Sequence, residues 1–279
     1  MTNSTALLAG KKGLVLGLAN DRSIAWGIAK AASDAGAEIA FTYQGEPLLK
    51  RVRPLVEGLN PNHLLLPCDV TDTDTVDALF ETIKEKWGTI DFVVHAVAFS
   101  DKDQLKGKYM DTTRDNFLMS MDISVFSFTD IARRSAAMMN DGGSMITLTY
   151  LGAERVMPHY NVMGVAKAAL EASVRYLASD LGDRGIRVNA ISAGPIKTLA
   201  ASGIGDFRFI LKWNQFVSPM QRNVSIHDVG SSALYLLSDL SKGVTGEVHH
   251  VDSGYHTVGM LNINSVPDVV TLLNQVRKD

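Results

Sequence analysis

Along this chain, short runs of apolar residues alternate with longer stretches in which apolar residues recur every three or four positions. The runs read as strands at residues 13–18, 38–43, 64–68, 91–95, 144–149, 186–191 and 247–251. The spaced stretches read as helices. After the first strand, Ile24, Ala25, Ile28, Ala31, Ala32 and Ala35 make one helix face, which Gly36 ends. Further helices are predicted over 73–87, roughly 112–139 and 159–182, and from a capping box that opens at Ser225 and closes at Asp228 as far as Leu237. Strand–helix alternation with uniformly apolar strands predicts a parallel sheet covered on both faces. The fold class is therefore α/β, a doubly wound Rossmann-type arrangement of about seven strands. No repeat, low-complexity tract or Pro/Gly/Ser linker divides the chain, so residues 1–279 read as one domain. The stretch from Gly194 to about Asn223 shows no clear pattern, and long loops within compact domains tend to be functional.

Composition removes several classes of function. A net charge of −3, without interleaved basic and aromatic residues, argues against a nucleic-acid binder. A single cysteine, Cys68, excludes an internal disulfide and fits a reducing compartment. Its apolar surroundings in sequence predict a buried structural thiol. No apolar run approaches the ~18–20 residues of a membrane helix, and residues 1–12 lack the basic start and apolar core of a secretion signal. His249, His250 and Asp252 look like metal ligands, but neighbours on a strand face opposite ways, so no metal is expected.

Two segments carry chemistry. Gly17 to Gly27 follows the first strand and opens the first helix, where a dinucleotide pyrophosphate meets close backbone and helix N–H groups. Gly17 permits the turn, Ala19 and Ala25 permit packing, and Ser23 can cap the helix and donate to phosphate. After the second strand, Thr42-Tyr43-Gln44-Gly45-Glu46 offers no Arg or Lys to neutralise a 2′-phosphate; the nearest base is Lys50. That favours NADH over NADPH. In the second segment Tyr150 closes the fifth strand, and Tyr160 precedes Lys167 by seven positions, two helical turns, so both share a helix face. The position four before the lysine is Met163. A tyrosine displaced by one turn suits an α,β-unsaturated thioester, in which hydride goes to C3 and negative charge collects on the C1 oxygen.

The Gly-x5-Ser-Ile-Ala-x-Gly loop and the Tyr-x6-Lys pair resemble those of the divergent short-chain dehydrogenase/reductases typified by bacterial NADH-dependent enoyl-[acyl-carrier-protein] reductases. The resemblance runs from residue 13 to about 254. It implies reduction of the 2,3-trans double bond of an enoyl thioester, on acyl carrier protein or CoA, with NADH as cofactor, in fatty-acid elongation. It implies that Tyr160 donates to the developing enolate, that Lys167 holds the nicotinamide ribose, and that Tyr150 is a second active-site tyrosine. Cofactor contacts would come from Gly17, Ser23, Ile24, Gln44, Asp69, Val70, Val97, Ile196 and Thr198. Substrate contacts would come from Ser100, Tyr160 and Phe207. A cytoplasmic homotetramer is also implied.

Glu46 competes with Gln44 as the ribose ligand, and Ala98 stands where the family usually has glycine. His95 reads as a packing residue. Ile204, Phe207, Phe209, Ile210 and Phe216, in a substrate-binding loop at about 195–220, suit an acyl-chain lid hinged at Gly203 and Gly205; an amphipathic core helix is the other reading. Two other functions stay open at this point, a short-chain carbonyl or alcohol oxidoreductase and a non-catalytic dinucleotide-binding protein.

Overall fold

The computed structural model describes residues 7–199, 201 and 205–276, and within them one fully parallel sheet carries the architecture. Its strands are β1 (Lys12–Leu16), β2 (Glu38–Tyr43), β3 (Leu64–Pro67), β4 (Ile90–His95), β5 (Met139–Thr149), β6 (Arg187–Ala193) and β7 (Val248–Val251), in the spatial order β3-β2-β1-β4-β5-β6-β7. The chain winds outward from β1 to β3, then returns to lay β4 on the other side of β1. The crevice at the carboxyl ends of β1 and β4 is thus the topological switch point, where open α/β sheets bind ligands.

Helices cover both faces. On one lie α1 (Ile24–Asp34), α2 (Gly45–Leu59) and α8 (Ile226–Leu237), whose apolar residues pack with Val15, Phe41, Val94, Ile146 and Ile191 of the sheet. On the other lie α3 (Thr73–Trp87), α5 (Ser127–Met138) and α6 (Asn161–Leu181), against Leu14, Leu16, Val93, Met145 and Val188. Successive strand residues therefore enter opposite cores, which is why the strands are apolar throughout rather than alternating. α1 and α8 meet at Gly27 and Gly230. A methyl group on Gly27 would come within 2.2 Å of the Ile226 carbonyl oxygen, and one on Gly230 within 2.5 Å of the Gly27 oxygen. The capping box is formed as read: Ser225 Oγ accepts from the Asp228 N–H, and the Asp228 carboxylate accepts from the Ser225 N–H.

Several elements differ from the reading of the sequence. The stretch between β2 and β3 was without a predicted element and forms α2, which carries Pro54 internally while burying Leu49, Val52 and Val56. The helix expected over roughly 112–139 is two, α4 (Arg114–Met121) and α5, joined by a π-helical turn at Asp122–Phe126. The helix expected from residue 159 starts at Asn161, so Tyr160 is its N-cap residue rather than a member of its first turn. The unpatterned region after Gly194 contains α7 (Phe207–Val217), and α9 (Val266–Val276) packs on α7. Ala200, Gly203, Ile204 and residues 1–6 lie outside the described residues.

Candidate active site

The expected site residues follow the carboxyl edge of the sheet in spatial order: Asp69 and Val70 after β3, Gln44 after β2, Gly17 after β1, Val97 after β4, Tyr150 after β5 and Ile196 after β6. Six neighbouring strand ends thus form a continuous track along which an extended dinucleotide can lie.

At the centre of the track, Gly17 has φ +92°, and a methyl group there would stand 2.1 Å from the Ala96 carbonyl oxygen. Only glycine meets both conditions, since L side chains rarely take this backbone and no space exists for one. Ser23 precedes α1 with extended backbone, as a cap residue should, but its hydroxyl makes no capping bond to the helix. Instead Ser23 Oγ accepts from the N–H groups of Ala19 and Asn20, each at 3.1 Å, and folds the loop back on itself. The cap expected from the sequence is therefore a loop staple, and the first N–H groups of α1 keep no side-chain partner from Ser23. Ile24 is half-buried and packs at the edge of the α1-side core.

At the β2–β3 end, Gln44 Nε2 donates to Asp69 Oδ2 at 2.6 Å. The other carboxylate oxygen accepts from Thr71 N–H at 2.9 Å and Thr71 Oγ1 at 2.7 Å. Partial burial would raise the Asp69 pKa, but the bonds from Thr71 and Gln44 outweigh it and hold the group below its ordinary value. Thr75 Oγ1 accepts from the Asp69 N–H and donates to the Asp69 carbonyl, fixing the backbone beneath. An anionic, oriented carboxylate beside an amide suits hydroxyl donors such as those of an adenosine ribose, and repels a phosphate there. Glu46 is exposed on the first turn of α2.

Around the end of β5 the three expected catalytic residues converge. Tyr150 and Tyr160 pack edge to face, with ring centroids 5.1 Å apart. Tyr160 is buried with Leu105, Val162 and Met163. Its ring fills the space over Gly152, where a methyl group would lie 2.3 Å from Tyr160 Cδ1. Burial pushes both phenols above their ordinary pKa, so each is a proton donor at neutral pH. Lys167 is buried, and its Nζ donates to the Leu148 carbonyl oxygen at 2.7 Å. Burial brings its pKa down to about 8, with Glu171 acting in the opposite direction.

Glu171 is the residue that sequence reading missed. It lies one turn beyond Lys167 on α6, is buried, and accepts from Thr149 Oγ1 at 2.6 Å. Its pKa is raised, chiefly by burial. A signal existed, since spacing of four places Lys and Glu on the same helix face.

The remaining residues frame the site. Ser100 exchanges hydrogen bonds with the buried Asn116 side chain at 3.2–3.3 Å. Phe99 N–H donates to Ser124 Oγ, which lies in the π-turn, at 3.1 Å. Val97 is half-buried against the α3-side core, whereas Ala98 is exposed. Ile196 packs on the α1-side core, and Thr198 Oγ1 accepts from the Ala201 N–H at 3.1 Å. Phe207, half-buried, opens α7. From Phe207 onward the stretch expected as a lid is an amphipathic helix burying Ile210, Leu211 and Asn214, while the proposed hinge at Gly203 lies outside the described residues.

Other candidates resolve as structural. His95 is fully buried between Ser127 Oγ at 2.9 Å and Thr147 Oγ1 at 3.1 Å, and burial brings its pKa down to about 3. Cys68 is buried, with its thiol pushed up to about 11 by burial. His250 bonds Glu154 at 2.9 Å while His249 faces the Tyr235 ring, and no three candidate ligands gather around one point among the described residues.

The family model described as enoyl-(acyl carrier protein) reductase matches residues 17–256. The chain is 68% identical over 272 residues to enoyl-[acyl-carrier-protein] reductase [NADH] 1 of Rhizobium meliloti, covering 98% of this chain and 99% of that one. Among solved structures it is similar to an enoyl-(acyl-carrier-protein) reductase from Anaplasma phagocytophilum in complex with NAD, with TM-score 0.89 and 60% identity, covering 92% of this chain and 98% of that one. It is also similar to the enoyl-acyl carrier protein reductase of Bacillus cereus with NADP+ and an indole naphthyridinone, with TM-score 0.90 and 55% identity, covering 91% of this chain and all of that one.

Proposed function

The chain belongs to the enoyl-(acyl carrier protein) reductase family, and from that premise we propose how its own residues carry out the reaction. It reduces the 2,3-trans double bond of an enoyl thioester on acyl carrier protein, with NADH, in fatty-acid synthesis. Bound NADH supplies the hydride that goes to C3 of the substrate.

The residues present fit that cofactor. The gap a Cβ on Gly17 would fill admits close backbone approach, the Gln44–Asp69 pair suits an adenosine ribose, and buried Lys167 offers a cation at the nicotinamide end. Ser23, Ile24, Val70, Val97, Ile196 and Thr198 line the same edge of the sheet. Tyr160 donates to the C1 oxygen of the thioester as negative charge gathers there. Lys167 binds the nicotinamide ribose and favours electron density on the phenol oxygen. Tyr150 packs Tyr160 into place, and Ser100 and Phe207 bound the acyl chain. A proton from solvent taken up at C2 as the enolate collapses then completes the saturated thioester.

The observation that carries this reading is the side chain at position 163. Where a carbonyl-reducing relative would hold its tyrosine, four before the lysine, this chain has Met163, buried, with its sulfur 4.0 Å from Ser124 Oγ. The tyrosine that caps the same helix is Tyr160, one turn earlier. NADH oxidation with crotonyl and acetoacetyl thioesters tests it. Turnover of the crotonyl substrate is expected, and preference for the acetoacetyl substrate would overturn the assignment.

We further read residues 1–279 as one reductase domain whose acyl wall at about 195–220 includes α7. A homotetramer is supported by the apolar side chains Leu118, Phe126, Val165 and Tyr176, exposed on α4, the π-turn and α6. No helix among the described residues is long and apolar enough to cross a membrane. We read the location as cytoplasmic, which a chain with a single, buried cysteine fits.

A further inference from the structure

The backbone around Tyr160 is unusual on both sides. His159 has φ 57° and Asn161 has φ 39°, a left-handed region that non-glycine residues rarely occupy, whereas Tyr160 between them has φ −100°. Such geometry persists only when surrounding contacts over-determine it, and it clusters where position matters.

Each unusual residue is fastened to a different wall of the site. His159 Nε2 contacts Asp206 Oδ2 at 3.1 Å, immediately before α7. Gly205 lies so close that a methyl group on it would stand 3.2 Å from His159 Cγ. The other ring nitrogen of His159 is buried and has no partner among the described residues, which leaves Asp206 to orient the ring. Asn161 Nδ2 donates to the carbonyl oxygens of Leu105 at 2.9 Å and Gly107 at 3.3 Å, in the segment that follows Ser100. Leu105 also packs in the same small cluster as Tyr160.

We propose that His159 and Asn161 are positioning residues that clamp Tyr160 from both sides, so that the phenol is placed for donation only when α7 and the 105–107 segment are both seated. This rests on Tyr160 being the donor in the reaction above. The clamp fixes where the phenol stands, and a tyrosine that shifts by about 1 Å loses up to 10²-fold in rate.

The test is a double-mutant cycle. Asp206 itself has φ 52°, so Asp206→Gly removes the carboxylate while glycine tolerates the backbone, and Asn161→Gly does the same for the amide. Each is expected to lower kcat on crotonyl thioester roughly tenfold with an unchanged NADH Kd. Neither should lower it further in a Tyr160→Phe background, because a clamp acts only through the phenol. Equal fractional losses in both backgrounds would show a merely structural role and overturn the proposal. Silent glycine variants beside a disabled Tyr160→Phe would overturn the clamp alone. A Tyr160→Phe enzyme with wild-type kcat would instead remove the donor assignment, and the clamp with it. Should Asn161→Gly fail to fold, Asp206→Gly, on the exposed side, decides by itself.

Discussion

Lys167 on α6 donates to the carbonyl of Leu148 on β5 at 2.7 Å. The bond draws the ammonium under the sheet edge, and burial lowers its pKa from an ordinary 10.5 to about 8. Between those two values the unfolded chain binds more protons than the folded one, so this group's contribution to stability rises with pH across that window. Lys167→Met abolishes that dependence. The stability of the Met variant relative to wild type should therefore fall as pH rises from 8 to 10.5, read by denaturant unfolding at several pH values. A difference constant over the window would mean that the buried amine keeps an ordinary lysine pKa in the folded protein. The same variant should bind NADH more weakly, because its cation at the ribose end is gone.

Tyr160→Phe keeps the ring over Gly152 and against Tyr150, so folding should be nearly unaffected. Removing the donor is expected to cost kcat roughly 10²–10³-fold, the range seen when an oxyanion donor is lost. Steady-state turnover of crotonyl thioester at saturating NADH measures this.

Cofactor choice follows from the Gln44–Asp69 pair, joined at 2.6 Å. A 2′-phosphate brought to that carboxylate would lose hydration and gain no cation. Preference for NADH over NADPH in kcat/KM is expected to be at least about tenfold, or ~1.4 kcal/mol. Asp69→Asn should narrow the preference by easing the repulsion. Equal use of both cofactors by the wild type would point to Lys50 or Arg51 reaching the phosphate.

The α7 wall makes a prediction about chain length. Phe207 is half-buried at the start of a helix whose buried side, Ile210, Leu211 and Asn214, already faces the protein. Phe207→Ala removes apolar surface that a long acyl chain would cover. KM should rise more for a dodecenoyl than for a crotonyl thioester. A uniform rise would place Phe207 outside the acyl channel.

Much of this was legible because its signals are local. Strand runs, the helix face from Ile24 to Ala35 and the capping box at Ser225 each declare themselves within a few residues, and parallel topology then delivers Asp69, Gln44 and Gly17 to one edge. The cofactor loop and the Tyr–Lys spacing were legible as a resemblance. What could not be read depends on distant partners. Pro54 hid α2, whose Leu49, Val52 and Val56 face needs the sheet to give it meaning. The break in the helix over roughly 112–139 is a π-turn in which Ser124 bonds the loop at Phe99. The α7 helix was one of two readings open for its stretch, since its apolar residues suit an acyl chain as well as a core. Ser23 looked like a cap, but its loop curls tightly enough for Ala19 and Asn20 to take the hydroxyl first. Glu171 meets its partner Thr149 only when β5 is laid against α6.

The notch where Gly27 meets Gly230 bears on how the chain comes to be folded at all. The two glycines lie roughly 200 residues apart, so α1 cannot cover its apolar flank until most of the polypeptide has left the ribosome. During that interval the nascent amino-terminal half has β1, β2 and β3 available to pair but carries a bare helix face. Contacts of such long range form late, and surface exposed while they wait invites aggregation. A bulkier residue at either glycine would prolong that wait, and would lower the yield of active enzyme from synthesis more than it slows the enzyme that does fold.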